Sequence, residues 1–280
     1  MAPAAAPAAG LLGDTPARNY SRKLAQFNAF AAPELKRLIA EIGLSPGMRV
    51  LDAGCGTGEA LPWLLEAAPS GHVVGIDLSA AHVSEARRHA GAQIEILQGD
   101  LAQAPLAPAS IDFIWCVNTI NHLHDPLQGV ARLAALLRPN GRIALGQSSL
   151  LPDMYFAWDS RLERVTNEAV RHYYRERYAL QERDLAAVRA IVGVLRAAGL
   201  KSVGTKTLLI ERISPLDTAT ECYLRETLFR DTWGAGLRPY LSHEDFTELG
   251  CLCDPEHPKF ALRRPDFHFM QTFTVAMGTR

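Results

Sequence analysis

The sequence predicts an α/β protein with a doubly wound, mostly parallel sheet, and three observations carry that reading. Between Met48 and Ser148, apolar runs of strand length alternate regularly with segments of helical periodicity. The first run passes through Asp52 into Gly54, Gly56 and Gly58 and then directly into the helical pattern of Ala60 to Ala68, which reads as strand, tight turn and helix. Residues 267–278, F-H-F-M-Q-T-F-T-V-A-M-G, close the chain as a long strand by alternation and by composition.

Composition narrows the possibilities. With 280 residues, 48% of them hydrophobic and 21% charged, the chain is long enough for an ample core and ordinary for a globular protein. A net charge of -1 offers no electrostatic basis for nucleic acid or an anionic membrane, which leaves a small molecule as the expected partner. Cys55, Cys116, Cys222, Cys251 and Cys253 are an odd number without paired metal spacing. Cys251 and Cys253, with His257, lack C-x-x-C geometry, so no metal is expected and the thiols are expected to be reduced. Residues 1–19 begin as an Ala/Pro-rich stretch without the basic start or unbroken apolar core of a signal peptide, and a disordered tail is expected there. No run approaches the roughly 20 apolar residues needed to span a bilayer, and a cytoplasmic protein is expected.

The elements follow in order. From Tyr20 to Ile42, Leu24, Phe27, Phe30, Leu35, Leu38 and Ile39 recur at helical intervals, and Pro33 is expected to divide the stretch into two short helices. Ser45-Pro46-Gly47 turns the chain into the first strand. The glycines after that strand remove Cβ atoms, and the free N–H groups of the helix start face the same crevice, which reads as a cradle for a polar or anionic group. Strands at His72–Asp77, Ile94–Gly99, Ile111–Asn118 and Arg142–Ser148 alternate with helices at Ala80–Ala90 and Pro126–Leu137, and Pro139-Asn140-Gly141 makes a turn. Ligands of such sheets bind at the carboxyl ends of the strands, where Asp77 can accept both hydroxyls of a ribose and Ser79 can cap the next helix.

Beyond Ser148 the regular alternation stops. Pro152 to Leu180 carries many aromatic residues, Asp184–Ala198 reads as a helix ended by Gly199, and Lys201–Ile210 as a strand. Residues 214–264 form a second insertion with helical patterns at 219–229 and 242–249, the latter capped by Ser242.

The run V-L-D-A-G-C-G-T-G, residues 50–58, resembles the first motif of class I S-adenosylmethionine-dependent methyltransferases of the small-molecule type, with G-x-G-x-G spacing. The resemblance implies a seven-stranded sheet whose last strand is antiparallel. It implies that Asp52, Gly54, Cys55, Gly56 and Gly58 hold the methionine end of the cofactor, that Asp77 binds its ribose, and that Leu78 lies beside its adenine. Asp100 and Leu101 match positions that contact the adenine edge, while Asn118 and Thr119, in W-C-V-N-T-I-N-H-L-H-D-P, border the methyl group. His122 aligns with a histidine near that methyl and reads either as a general base or as a support for its loop; His124 reads as a turn residue. Residues 20–47 would form a lid closed by Tyr20 or Phe27 over a domain of residues 48–280. Insertions at about residues 150–182 and 214–266 would roof the acceptor site, with Asn121, Tyr155, Trp158, Tyr173, Tyr223, Trp233 and His268 as candidate contacts, a half-buried strand residue being the preferred reading of His268.

The implied reaction moves a methyl group from S-adenosylmethionine, leaving S-adenosylhomocysteine, to oxygen, nitrogen or carbon of a small apolar or aromatic metabolite, with oxygen favoured. An NAD(P)-dependent oxidoreductase shares such a sheet but is disfavoured by the glycine spacing and the lack of a Y-x-x-x-K pair. A nucleic-acid methyltransferase is disfavoured by N-T-I-N in place of an N-P-P-Y run, and a methyltransferase-like binding protein without turnover remains an alternative.

Overall fold

The computed structural model describes residues 21–148, 154–156, 158–178 and 187–280. Five strands, β1 (Arg49–Ala53), β2 (His72–Asp77), β3 (Ile94–Gln98), β4 (Ile111–Val117) and β5 (Leu137–Ser148), lie parallel in the order β3-β2-β1-β4-β5. The central strands read as apolar runs because both faces are covered: Val50, Phe113 and Trp115 point to one face, and Leu51, Ile114 and Cys116 to the other.

The closing strand is antiparallel, as expected. β8 (His268–Thr279) pairs with β5 along one edge and with β7 (Lys201–Ile213) along the other. A short strand not foreseen, β6 (Met154–Phe156), pairs with Phe269–Gln271, the part of β8 that runs past the end of β5 at Ser148. The sheet therefore overhangs the carboxyl end of β5.

Helix α1 (Ser21–Ile42) is one continuous helix, not two, although Pro33 lies inside it. Proline removes the N–H that would bind the carbonyl of Ala29 and crowds that turn. Arg212 of β7 braces the same stretch of helix: its Nη2 donates to the Phe30 carbonyl at 2.6 Å, and its guanidinium forms a fork with Glu34 at 2.8 and 2.9 Å. The same group lies 4.8 Å from the centre of the Phe30 ring.

Helices α2 (Ala60–Ala67) and α3 (Ala80–Ala86) follow β1 and β2, and Ser79 caps α3 as expected. Helix α4 (Pro126–Leu136) leads into β5, where Arg138–Gly141 are looped out in a bulge between the pairs Ile111–Leu137 and Phe113–Arg142. Helix α5 (Ser160–Tyr178) belongs to the first insertion, and α6 (Ala187–Ala197) packs Ile191 and Leu195 on the α4 side of the sheet. In the second insertion α7 (Thr218–Cys222) continues as π-helical turns over Tyr223–Arg230, and α8 (His243–Cys253) starts at the Ser242 cap.

Arg212→Met is expected to destabilise the protein by about 2–3 kcal/mol, the range for hydrogen bonds to charged groups, with Arg212→Lys recovering little because it lacks the fork. Urea unfolding of the three proteins checks this.

Candidate active site

The site is built at the carboxyl ends of β1, β2 and β4. Gly54 sits at φ +80°, and a Cβ there would lie 2.3 Å from Thr119 Oγ1, so the position admits glycine alone. Thr119 is held against it by donating to the carbonyls of Val117 at 3.0 Å and Gly54 at 3.4 Å. The amides of Gly54 and Cys55 donate to Ile76 at 2.8 and 2.9 Å, which welds the turn to β2. Cys55 is buried there, and burial pushes its thiol well above its ordinary range.

Asp77 organises the turn. Its Oδ2 accepts the Gly56 amide at 2.9 Å, and its Oδ1 accepts the Ser79 amide at 2.9 Å and lies 3.1 Å from His82 Nδ1. A carboxylate offers about four lone-pair positions, so roughly one is left for a ligand rather than the two that a ribose diol would use.

The cradle expected to hold a polar or anionic group is itself lined with acids. Asp52 is 3% exposed, and no hydrogen-bond donor reaches it among the described residues. Burial first, and then the nearby carboxylates of Asp77 and Glu59, push it up to about 8. Glu59, at the start of α2, accepts from Thr57 Oγ1 at 2.5 Å, Asn28 Nδ2 at 3.2 Å and Arg88 Nη2 at 2.6 Å. The helix start that would favour an anion is thus occupied by a carboxylate of the chain itself. Three acids around one turn favour a cation.

The segment after β4 closes the site. Asn118 sits at φ +52°, and its Oδ1 accepts from the amide and hydroxyl of Ser148 at 2.8 and 2.9 Å, joining the ends of β4 and β5. Asn121 is buried, and its Oδ1 has no donor among the described residues. Desolvation lowers His122 to about 4, so its ring is uncharged at neutral pH and is a weaker proton acceptor than an ordinary imidazole. Asp100 caps a short turn by accepting the Ala102 amide at 2.8 Å, Leu101 is buried behind it, and Leu78 is exposed on the rim.

The predicted acceptor contacts fall into different places. Tyr20 and the side chain of Tyr155 lie outside the described residues. Tyr173 packs edge-on against Tyr174 and Tyr240, with ring centres 5.6 and 6.4 Å away. Trp158 stacks on Phe156 at 4.4 Å and lies 5.7 Å from Trp233, inside an aromatic cluster with Phe229. Tyr223 stacks on Phe30 at 4.3 Å, and its hydroxyl donates to Gln271 at 3.4 Å. His268 lies 2.8 Å from Glu211, and by strand alternation it points to the face opposite Phe269, Gln271 and Phe273. It sits as a half-buried strand residue on the other face of β8.

Glu59, His82, Asn28, Ser148 and Gln271 were not predicted. Glu59, Asn28, Ser148 and Gln271 meet partners distant in sequence, which no local pattern marks, while His82 reaches back to Asp77 across the start of α3. Among the described residues no group of three or more His, Cys, Asp or Glu is placed to hold a metal ion, and no helix is long and apolar enough to cross a membrane.

Residues 50–141 match the family described as "Methyltransferase domain". Trans-aconitate 2-methyltransferase of Azoarcus sp. (strain BH72) is 30% identical over 231 residues, which cover 80% of this chain and 78% of that protein. The chain belongs to the class I S-adenosylmethionine-dependent methyltransferases. Nocamycin O-methyltransferase of Saccharothrix syringae is 30% identical over 224 residues, covering 75% of this methyltransferase and 77% of its relative. The chain spans only 32% and 24% of the length of two uncharacterized relatives that it also matches, from Streptomyces fradiae and a Synechococcus strain. The crystal structure of the YcgJ protein of Bacillus subtilis has the same fold, with a TM-score of 0.54 at 17% identity over 88% of this chain and 97% of that one.

With Asp52 near 8 in the folded state against an ordinary 3.8, the fold keeps a proton that the unfolded chain has lost. Stability of the ligand-free methyltransferase therefore falls as pH rises between those values and levels off above the higher one. Asp52→Asn is expected to remove most of that fall, and thermal unfolding of both proteins from about pH 6 to about pH 9 measures it.

Proposed function

We propose that this methyltransferase binds S-adenosylmethionine at the glycine turn and transfers the methyl group to a small apolar or aromatic metabolite, to oxygen before nitrogen or carbon. The observation that carries the reading is the buried Asp52, which no donor reaches among the described residues and which keeps its proton near neutral pH beside Asp77 and Glu59, so that a cationic group is what would let it ionise. The cofactor supplies an activated methyl on a cationic sulfonium and also carries an ammonium group. Asp52 and the open Oδ1 of Asn121 suit its cationic end, Asp77 its ribose, and Leu78, Asp100 and Leu101 its adenine.

The same charges argue against a dinucleotide. A pyrophosphate at this turn would meet Glu59 at the start of α2 and Asp52 below it, where the phosphate sites of oxidoreductases offer free N–H groups and no acid.

The remaining work of the chain is alignment and exclusion of water. Asn28 of α1 reaches Glu59, which ties the lid helix to the glycine turn. Alignment of the reacting atoms is worth about 7–11 kcal/mol, more than the factor of about 10² to 10⁴ from a general base. His122, at about 4, gives little of the latter. The kinship with an enzyme named for O-methylation supports oxygen as the acceptor atom.

Calorimetric titration with S-adenosylhomocysteine and with reduced nicotinamide dinucleotide tests the reading. The first ligand is expected to bind and the second not, and the reverse result overturns it. Asp77→Ala is expected to weaken S-adenosylhomocysteine binding by about 10- to 100-fold through lost charged hydrogen bonds, whereas His122→Ala changes it by less than about threefold.

A further inference from the structure

We propose that Tyr223 and Gln271 are the acceptor-reading pair of this methyltransferase, and that its acceptor is a neutral aromatic molecule presenting a carbonyl oxygen to the Gln271 amide. The proposal rests on the methyl-transfer reading above and names the acceptor for the same site.

Position comes first. Ser148, at the end of β5, pairs with Phe273 and is bound by Asn118, the first residue past β4 at the cradle. Gln271 is two residues further along β8 on the same face as Phe273, about 6.8 Å beyond the end of β5. It therefore hangs over the carboxyl ends of the strands. Tyr223 comes down on it from the π-helical turns, stacked on Phe30 and edge-on to Phe27 at 5.9 Å, so the pair lies under the lid helix that Asn28 fastens to the glycine turn.

Chemistry comes next. Gln271 is 2% exposed, and its Oε1 is engaged by the Tyr223 hydroxyl at 3.4 Å. Its amide nitrogen donates to no protein group among the described residues. Burial pushes the Tyr223 phenol well above its ordinary range, so it stays a neutral donor that holds the carboxamide in one orientation. Trp158 and Trp233, which pack on Phe156 beside Phe269, have buried Nε1 groups without acceptors among the described residues. The roof thus holds N–H donors in excess and needs oxygen acceptors from a ligand.

Charge decides between a carbonyl and a carboxylate. Phe27, Phe30, Tyr223, Gln271, Phe269 and Phe273 carry none. Arg212, beside Phe30, is committed to Glu34 and to the Phe30 carbonyl. A carboxylate placed here would be desolvated without a counter-charge, while a ketone or quinone oxygen takes the same hydrogen bond at no such cost.

The test uses a matched pair of probes, hydroxyacetonaphthone and hydroxynaphthoate, which share a ring and differ in ketone against carboxylate. S-adenosylhomocysteine is titrated first: if it does not bind, the methyltransferase reading itself fails. Each probe is then titrated into the S-adenosylhomocysteine complex by calorimetry and tryptophan quenching. The ketone is expected to bind at least about tenfold more tightly than the carboxylate. Gln271→Met is expected to weaken the ketone by about tenfold or more, and the isosteric Tyr223→Phe by about three- to tenfold, both with S-adenosylhomocysteine affinity unchanged. If S-adenosylhomocysteine binds and the carboxylate matches the ketone, or neither probe binds, or both variants hold the ketone as tightly as the wild type, the proposal is overturned.

Discussion

The crowding of three carboxylates at the turn between β1 and α2 is the constraint around which the structure is arranged. Asp77 is supplied by two backbone amides and His82, and Glu59 by Thr57, Asn28 and Arg88. Asp52, between them and deepest, has no donor among the described residues. Like charges this close, in a buried site, raise one another's cost of ionisation. That cost is why a positively charged group beside Asp52 suits the crevice.

The placing of helix α1 follows from the same arrangement. It is fastened along its length: Arg22 bridges Glu226 in the π-helical turns and Asp231 just after them, Asn28 reaches Glu59, and Glu34 takes the Arg212 fork. The glycine turn, the second insertion and the far edge of the sheet are therefore joined through one helix. Phe27 and Phe30 lie between those fastenings, so the aromatic face of α1 is positioned by polar contacts on either side of it.

What could be read from the sequence is what depends on neighbours in the chain. The strands β1 to β5 were legible because a strand covered on both faces is a run of apolar residues, and the Ser79 and Ser242 caps because a cap acts three residues on. Pro33 does not divide α1, and the brace on that stretch of helix, Arg212, lies 178 residues from its partner Glu34, beyond any local pattern. The glycine spacing told that N–H groups would be free but not which charges would surround them, since Asp52, Glu59 and Asp77 converge only in the fold. The basicity of His122 is set by burial, which no spacing records. The overhang of β8 past β5, and with it Gln271, depended on a strand pairing that alternation alone does not specify.

The floor and the roof of the crevice ask for opposite things. The floor holds an excess of acids and the roof, among the described residues, two buried indole N–H donors without acceptors. Neither arrangement helps the fold: a buried acid without a donor and buried indole N–H groups without an acceptor each lower stability relative to apolar replacements of the same shape. A chain that keeps both, one above the other at the carboxyl ends of its strands, has retained polar groups that only ligands can satisfy. Two ligands of different charge then fit better than one, a cationic molecule below and a neutral oxygen-bearing one above, with the ends of β4 and β5 between them.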